Sequence, residues 1–436
     1  MEVSEWWLWA AYATPFIFIW VSYIRRTQRK GREAADTLAQ NINAGLTEPA
    51  SLHPVIDPNL CVGSGGCVVA CPEGNVIGMI RGKGQLIEPT RCIGHGACRA
   101  ACPHGAISLV FGTARRGVDI PHVSPDFRTN VPGLYIAGEL GGMGLIRNAI
   151  NQGAQAMAAI SRLNGLGQPE RLDVVIVGAG PAGLAAGLAA MEKGLSYALL
   201  DQDTLGGTVA HFPRGKVVMT APAILPIVGR MRFTAVSKEE LLAFWEKVVA
   251  DTGLAIKSGH KVDDVVSDGD GFEVRTSNGN YRSRAVLLAI GRRGTPRKLG
   301  VEGEQLSKVV YRLIDPEQYR GKKVLVVGGG DSALEAAVSI AEEPDTEVTI
   351  SYRSAAFSRA KEKNVRRVTA AHEQGRLQLL MNSNVSAIHP DRVELKQEDE
   401  IISIDNDAVI ISAGGVLPTP FLKQIGVEVE TKYGKA

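Results

Sequence analysis

The sequence predicts an α/β chain: two open, mostly parallel sheets in three layers with helices, a small α+β module, and one N-terminal transmembrane helix. Three observations carry this. Apolar strands run into glycine-rich turns and then helices at 173–183 and 323–333. All six cysteines fall between Cys61 and Cys102, in a duplicated run. The nineteen residues from Trp6 to Ile24 carry no charge. A chain of 436 residues has room for several cores. Its 49 glycines exceed the usual share of roughly 7% and cluster at turns rather than in a repeat. Net charge is +2, with both signs interleaved, so the basic stripe of a nucleic-acid binder is missing and no nucleic-acid partner is expected.

At the N-terminus, nineteen uncharged residues make a helix of roughly 28 Å, close to a hydrocarbon core of about 30 Å. Trp6, Trp7, Trp9 and Trp20 lie near its ends, where indole rings settle among lipid headgroups. Arg25, Arg26, Arg29, Lys30 and Arg32 follow, and Glu2 and Glu5 precede. That bias places the span in the cytoplasmic (inner) membrane, with the lipid bilayer as a partner and the body of the chain in the cytoplasm. The acidic start argues against a cleaved signal peptide. Residues 31–52 read as a polar helical linker.

The cysteine run has two similar halves. The first is Cys61-Val-Gly-Ser64-Gly-Gly-Cys67-Val-Val-Ala-Cys71-Pro72, and the second is Cys92-Ile-Gly-His95-Gly-Ala-Cys98-Arg-Ala-Ala-Cys102-Pro103. Cysteines packed into one short window read as metal ligands rather than as a disulfide framework. Each half resembles the bacterial two-cluster ferredoxin motif C-x2-C-x2-C-x3-C-P. The resemblance implies an α+β ferredoxin-like module over 53–112 with two iron–sulfur clusters. Cys61, Cys67 and Cys102 would hold one, and Cys92, Cys98 and Cys71 the other. The second ligand position departs from the motif in both halves, as Ser64 and His95. Either side chain could ligate iron, or the site could hold a three-iron cluster, so 4Fe-4S and 3Fe-4S both stay open. A degenerate module that binds nothing, or zinc, is the bland alternative.

The first glycine motif is Asp173-Val-Val-Ile-Val-Gly178-Ala-Gly180-Pro181-Ala182-Gly183. Its glycines permit a tight turn and close backbone approach, and the helix N-terminus faces a pyrophosphate. The next strand ends in Asp201, placed for an adenosine ribose. Downstream, Ala289-Ile290-Gly291 resembles the turn that closes the FAD domain in the pyridine nucleotide-disulfide oxidoreductase family. An amphipathic helix, Val236 to Trp245, resembles that of the thioredoxin-reductase-like branch.

The second motif, Gly328-Gly329-Gly330-Asp331-Ser332-Ala333, ends on a small residue, as Rossmann-like dinucleotide folds allow. The following strand ends at Arg353, with Arg359 beyond. Arginines there favour the 2′-phosphate of NADP, where an acid would favour NAD, although NAD is not excluded. The motif is similar to the nicotinamide-domain motif of thioredoxin reductases and of ferredoxin–NADP reductases built on that fold. Thioredoxin reductases carry Cys-x-x-Cys near this point, and this chain has no cysteine there. Electrons therefore cannot leave by dithiol exchange within the chain.

One segment stands out of order. Gly138-Glu139, followed by Arg147-Asn148-Ala149, resembles the turn and helix that normally end this family and hold the flavin ribityl, pyrophosphate and pyrimidine edge. Here they precede Gly178, and the chain runs out where relatives would continue into that segment. The resemblance thus implies a circular permutation. The FAD domain is 113–309 with 412–436, the nicotinamide domain is 310–411, and the membrane anchor with its basic flank is 1–30.

Together these readings imply a membrane-anchored NAD(P)H-dependent oxidoreductase. Electron transfer would link NADP, FAD and two iron–sulfur clusters to an unknown redox protein or quinone, with a homodimer allowed. No catalytic acid or base is nominated, since the chemistry belongs to the cofactors. His104 and His211 read as solvated or hydrogen-bonded. The alternatives are a reductase of a small disulfide working directly at the flavin, and a redox sensor without turnover.

Overall fold

The computed structural model describes the chain except residues 1–5, 44, 45, 48, 50, 51, 93, 115, 116, 143, 293, 359, 435 and 436, and the side chains of 6–8, 10, 11, 219 and 295. The described chain divides into one unit through Val110 and a second from Phe111.

In the first unit, a helix runs unbroken over Trp6–Asn43 and contains Pro15. Its C-terminal part packs on the hairpin Ile77–Ile80/Lys83–Leu86. Small residues allow that approach: a Cβ at Gly78 would come within 2.7 Å of the Ala34 Cβ. Asn41 then donates to the Ile87 carbonyl at 2.8 Å. The stretch drawn as a linker is therefore helical as far as Asn43, with Ala34 and Asn41 buried. His53–Ile56 pairs antiparallel with Ile107–Val110, tying the two ends of the cysteine module together.

The expected transmembrane anchor, and with it placement in the cytoplasmic membrane and a lipid partner, is overturned. Among the described residues no helix is long and apolar enough to cross a membrane. The uncharged run from Trp6 to Ile24 is nineteen residues long, but it includes Thr14, Pro15 and Ser22 among its tryptophans and tyrosines. A lack of charge is not the same as hydrophobicity: tryptophan, tyrosine, threonine and proline dilute the leucine-like content that lipid requires. With no such span, the structure lends a membrane quinone no support.

The second unit is a mixed α/β structure. Its first sheet runs Ile256–Lys257, Tyr197–Leu200, Leu172–Val177 and Gly279–Leu288 in parallel, then Gly271–Thr276 and Val262–Asp268 antiparallel. Strand side chains alternate between faces. Val174 and Ile176 pack with helices Pro181–Glu192, Ile146–Ile160 and Lys238–Thr252, while Val175 and Val177 pack with Leu422 and Ile425. Helix Lys238–Thr252 starts on a capping box between Ser237 and Glu240 and buries Trp245 completely.

Strand Leu134–Ile136 joins this sheet beside Val286–Leu288, parallel to it, although it precedes the first glycine motif in the chain. The last strand, Val429–Lys432, pairs antiparallel with Val118–Pro121. The C-terminal strand thus lies against the strand that precedes the out-of-order segment.

The second sheet is five-stranded and wholly parallel, ordered Val309–Val310, Ala408–Ile411, Lys323–Val327, Glu347–Tyr352 and Gln378–Met381. Val324 and Val326 pack with helix Asp331–Ala341. The opposite face departs from the expected helical cover. Leu325 and Val327 meet Val385, Val393 and Leu395 of a three-stranded antiparallel sheet spanning Ser383–Asp405.

Candidate functional site

Three constellations take shape, one in the first unit and two in the second. Around the first glycine motif, backbone crowding explains the residue types. Gly178 has φ 107°, and a Cβ there would lie 2.5 Å from the Ala289 carbonyl oxygen. A Cβ at Gly183 would lie 1.7 Å from the Gly178 oxygen. Neither position admits a side chain, so the helix beginning at Pro181 comes straight out of the turn. Gly180 is the N-cap with no side-chain partner, leaving N–H groups at the helix N-terminus to face an anion.

The out-of-order segment meets this turn. Gly138 (φ 86°) lies so close that its Cβ would be 3.0 Å from that of Ala182 and 3.9 Å from that of Ala149. Its N–H donates to the Gln152 side-chain oxygen at 2.8 Å. Glu139 opens a short 3-10 turn, and Arg147, Asn148 and Ala149 stand in the first turn of helix Ile146–Ile160, whose N-terminus has no side-chain cap. Arg147 is exposed. Gly291 (φ 64°) follows the Ala289 strand end on the other side of Gly178. The structure thus brings Gly138, Ala149, Gly178, Ala182 and the Ala289 turn to one place, a backbone cradle that fits a dinucleotide.

Asp201 is buried and occupied. One carboxylate oxygen accepts the Ala179 N–H at 2.6 Å, and the other accepts the Asp203 N–H at 2.8 Å. Burial pushes its carboxyl above the ordinary range, while the two N–H donors pull the other way. The group braces the glycine turn. Sequence reasoning missed Gly206 and Gly207. The Gly206 N–H donates to the Ala179 carbonyl at 3.0 Å, and a Cβ at Gly207 would sit 3.0 Å from the Gly180 Cα. The signal was a glycine pair shortly after the second strand.

In the second sheet, a Cβ at Gly328 (φ 140°) would lie 2.4 Å from the Ser412 oxygen. Gly330 is the N-cap of helix Asp331–Ala341, with Asp331, Ser332 and Ala333 in its first turn. Asp331 accepts from the Lys361 N–H at 2.7 Å and from the Asn364 side chain at 2.8 Å, so its role here is to hold the following loop. Arg353 is exposed just beyond strand Glu347–Tyr352, and Arg359 lies outside the described residues. Lys216 and Glu335, 2.6 Å apart, link the two sheet-bearing halves of this unit.

In the first unit all six cysteines are free thiols. Short helices Gly66–Ala70 and Ala97–Ala100 carry Cys67 and Cys98. Each follows a loop with paired left-handed glycines: Gly63 and Gly65 in one half, Gly94 and Gly96 in the other. Cys61, Cys67 and Cys102 line one cavity together with Ser64 and His104. Burial raises the Cys67 thiol, with repulsion from Cys61 and Cys102 adding to it. Burial pushes Cys92 up to about 11, with Cys98 and Cys71 adding to it. Burial also raises Cys71 and Cys98, the latter repelled by Cys71 and more weakly by Cys67. Among the described residues, no three of His, Cys, Asp and Glu converge closely enough to hold a single metal ion. A multi-iron cluster takes its thiolates around a larger body, so the arrangement fits a cluster better than zinc. His95 is half-buried, burial lowers its imidazole, and its Nε2 is buried without a hydrogen-bond partner among the described residues.

Comparison with known proteins divides the chain in the same way. Residues 175–435 match the pyridine nucleotide-disulphide oxidoreductase family model, and residues 53–103 match a 4Fe-4S dicluster domain. A ferredoxin–NADP reductase from Thermus thermophilus is 32% identical over 274 residues, which cover 60% of this chain and 78% of the relative. One from Pediococcus pentosaceus is 30% identical over 271 residues, covering 61% and 79%. A bacillithiol disulfide reductase from Staphylococcus aureus superposes with TM-score 0.52 at 23% identity, covering 61% of this chain and 85% of its own. That last likeness is one of fold alone.

Proposed function

The chain belongs to the pyridine nucleotide-disulphide oxidoreductase family, as an FAD-dependent NAD(P)H oxidoreductase joined to a 4Fe-4S dicluster domain, and from that premise we propose that it passes electrons between NADPH, FAD, two iron–sulfur clusters and a protein redox partner such as a ferredoxin. One observation carries the reading. No cysteine lies outside Cys61–Cys102, so the flavoprotein part has no dithiol of its own, while the same chain supplies two trios of thiols.

When bound, the cofactors supply hydride exchange and one-electron transfer. The chain's own residues bind and orient. Gly178, Gly180, Pro181, Ala182 and Gly183 would cradle the FAD pyrophosphate, and Asp201 would hold both the turn and the ribose. Gly138, Glu139 and Gly291 would close over the flavin side, with the helix opening at Arg147, Asn148 and Ala149 aimed at it. Gly328, Gly330, Ser332 and Ala333 would hold the NADP pyrophosphate, with Arg353 and Arg359 at its 2′-phosphate. Cys61, Cys67 and Cys102 would carry one cluster, and Cys71, Cys92 and Cys98 the other.

Anaerobic stopped-flow absorbance tests the reading. NADPH should bleach the flavin band and then the broad cluster band, and an unchanging flavin would end the proposal. A reductase of a small disulfide at the flavin is the second reading, motivated by the fold shared with a bacillithiol disulfide reductase. Its sign would be disulfide-dependent NADPH oxidation that persists when Cys61 and Cys92 are both replaced by serine.

A further inference from the structure

We infer that the Nε2 atom of His95 is the fourth iron ligand of the cluster held by Cys71, Cys92 and Cys98. The inference rests on the iron–sulfur reading above and deepens it. His95 stands three residues after Cys92 and three before Cys98, at the missing second ligand position of its half.

The loop around it shares its backbone conformation with the matching loop of the first half. Gly94 and Gly96 have φ 79° and 75°, matching 82° and 72° at Gly63 and Gly65 around Ser64. A Cβ at Gly94 would strike the Leu52 oxygen at 2.6 Å, and one at Gly63 would strike the Gly82 oxygen at 2.4 Å, so both loops are pressed against the module. What differs is the side chain between the glycines. Ser64 is exposed at the edge of its cavity. His95 instead has Nε2 out of contact with water and without a partner.

Leaving such an atom unsatisfied forfeits its hydration without replacing it, and an unpaired buried nitrogen calls for an explanation. An imidazole lone pair donated to iron satisfies it, with the proton kept on Nδ1 and no change of oxidation state. Exchanging a thiolate for a neutral imidazole removes one negative charge from the cluster and raises its potential. The Cys71/Cys92/Cys98 cluster is then ligated by protein at all four irons.

The full chain, reconstituted anaerobically and carrying nitrogen-15 histidine, is reduced and read by pulsed electron paramagnetic resonance. A directly bound nitrogen coupling is expected, vanishing in His95→Cys while the cluster stays. His95→Ala should lose about one iron per chain. Two clusters with no bound-nitrogen coupling, and unchanged iron in His95→Ala, would overturn the histidine ligand and leave the iron–sulfur reading standing. Wild-type protein without iron or sulfide would overturn both.

Discussion

Gly153→Ala tests whether the out-of-order helix belongs to the dinucleotide site. Gly153 lies on helix Ile146–Ile160, where a Cβ would come within 2.1 Å of the Ala182 carbonyl oxygen. Both partners are backbone, so no rotamer change relieves the clash, and the helices must part by roughly 1.3 Å or more to restore ordinary contact. Ala156, Met157 and Ile160 are fully buried on the same helix and would move with it. Overpacking of this kind costs about 2–3 kcal/mol, which lowers the unfolding midpoint by roughly 4–12 °C for a unit of this size. Because Ala182 and Gly183 form the cradle, flavin retention should fall as well. Differential scanning fluorimetry and flavin absorbance after gel filtration measure both. Asn151→Ala, exposed on the same helix, is the control. Equal midpoints and flavin content in Gly153→Ala and wild type would refute the packing and the assignment of residues 146–160 to the FAD domain.

Further outcomes follow from other sites. Arg353→Ala should raise the KM for NADPH about tenfold and leave that for NADH nearly unchanged, as steady-state rates with an artificial acceptor would show. Cys92→Ser should remove about four irons per chain by chemical analysis without lowering flavin content. At Glu304, burial works against the charge, but the Leu299 and Gly300 N–H groups and the Tyr311 hydroxyl outweigh it and hold the carboxyl below its ordinary value. A depressed carboxyl stabilises the fold above its unfolded value of about 4.3, and that contribution fades as pH falls through the folded value. Glu304→Gln should therefore cost about 1–2 kcal/mol at pH 7 and progressively less below about pH 4, read from unfolding midpoints.

Much of the fold and site was legible because steric necessity writes itself into residue type. Gly178, Gly183 and Gly328 are glycine since a Cβ would strike backbone, and the strands ahead of them are apolar since both sheet faces are buried. Gly138 is close-packed against Ala182, and strand Leu134–Ile136 pairs parallel with Val286–Leu288 although it precedes the first glycine motif. Other features were not visible. Gly206 and Gly207 act through contacts with Ala179 and Gly180, residues distant in sequence, so the glycine pair was visible but its partners were not. The antiparallel cover over Leu325 and Val327 comes from short alternating strands that resemble surface hairpins until they are seen packed. The membrane span failed because freedom from charge was read as hydrophobicity across a tryptophan- and tyrosine-rich helix. The difference between Ser64 and His95 was legible as a departure from the cysteine pattern, but only burial separated an exposed hydroxyl from an unpartnered imidazole.

The central claim is that electrons from NADPH reach the iron–sulfur clusters of the same chain. Rapid freeze-quench electron paramagnetic resonance of the anaerobically reconstituted full-length protein, mixed with one equivalent of NADPH, tests it most directly. Reduced-cluster signals rising as the flavin absorbance falls are the predicted result. A fully bleached flavin beside clusters that stay oxidised, yet are reduced by dithionite in the same sample, would contradict it.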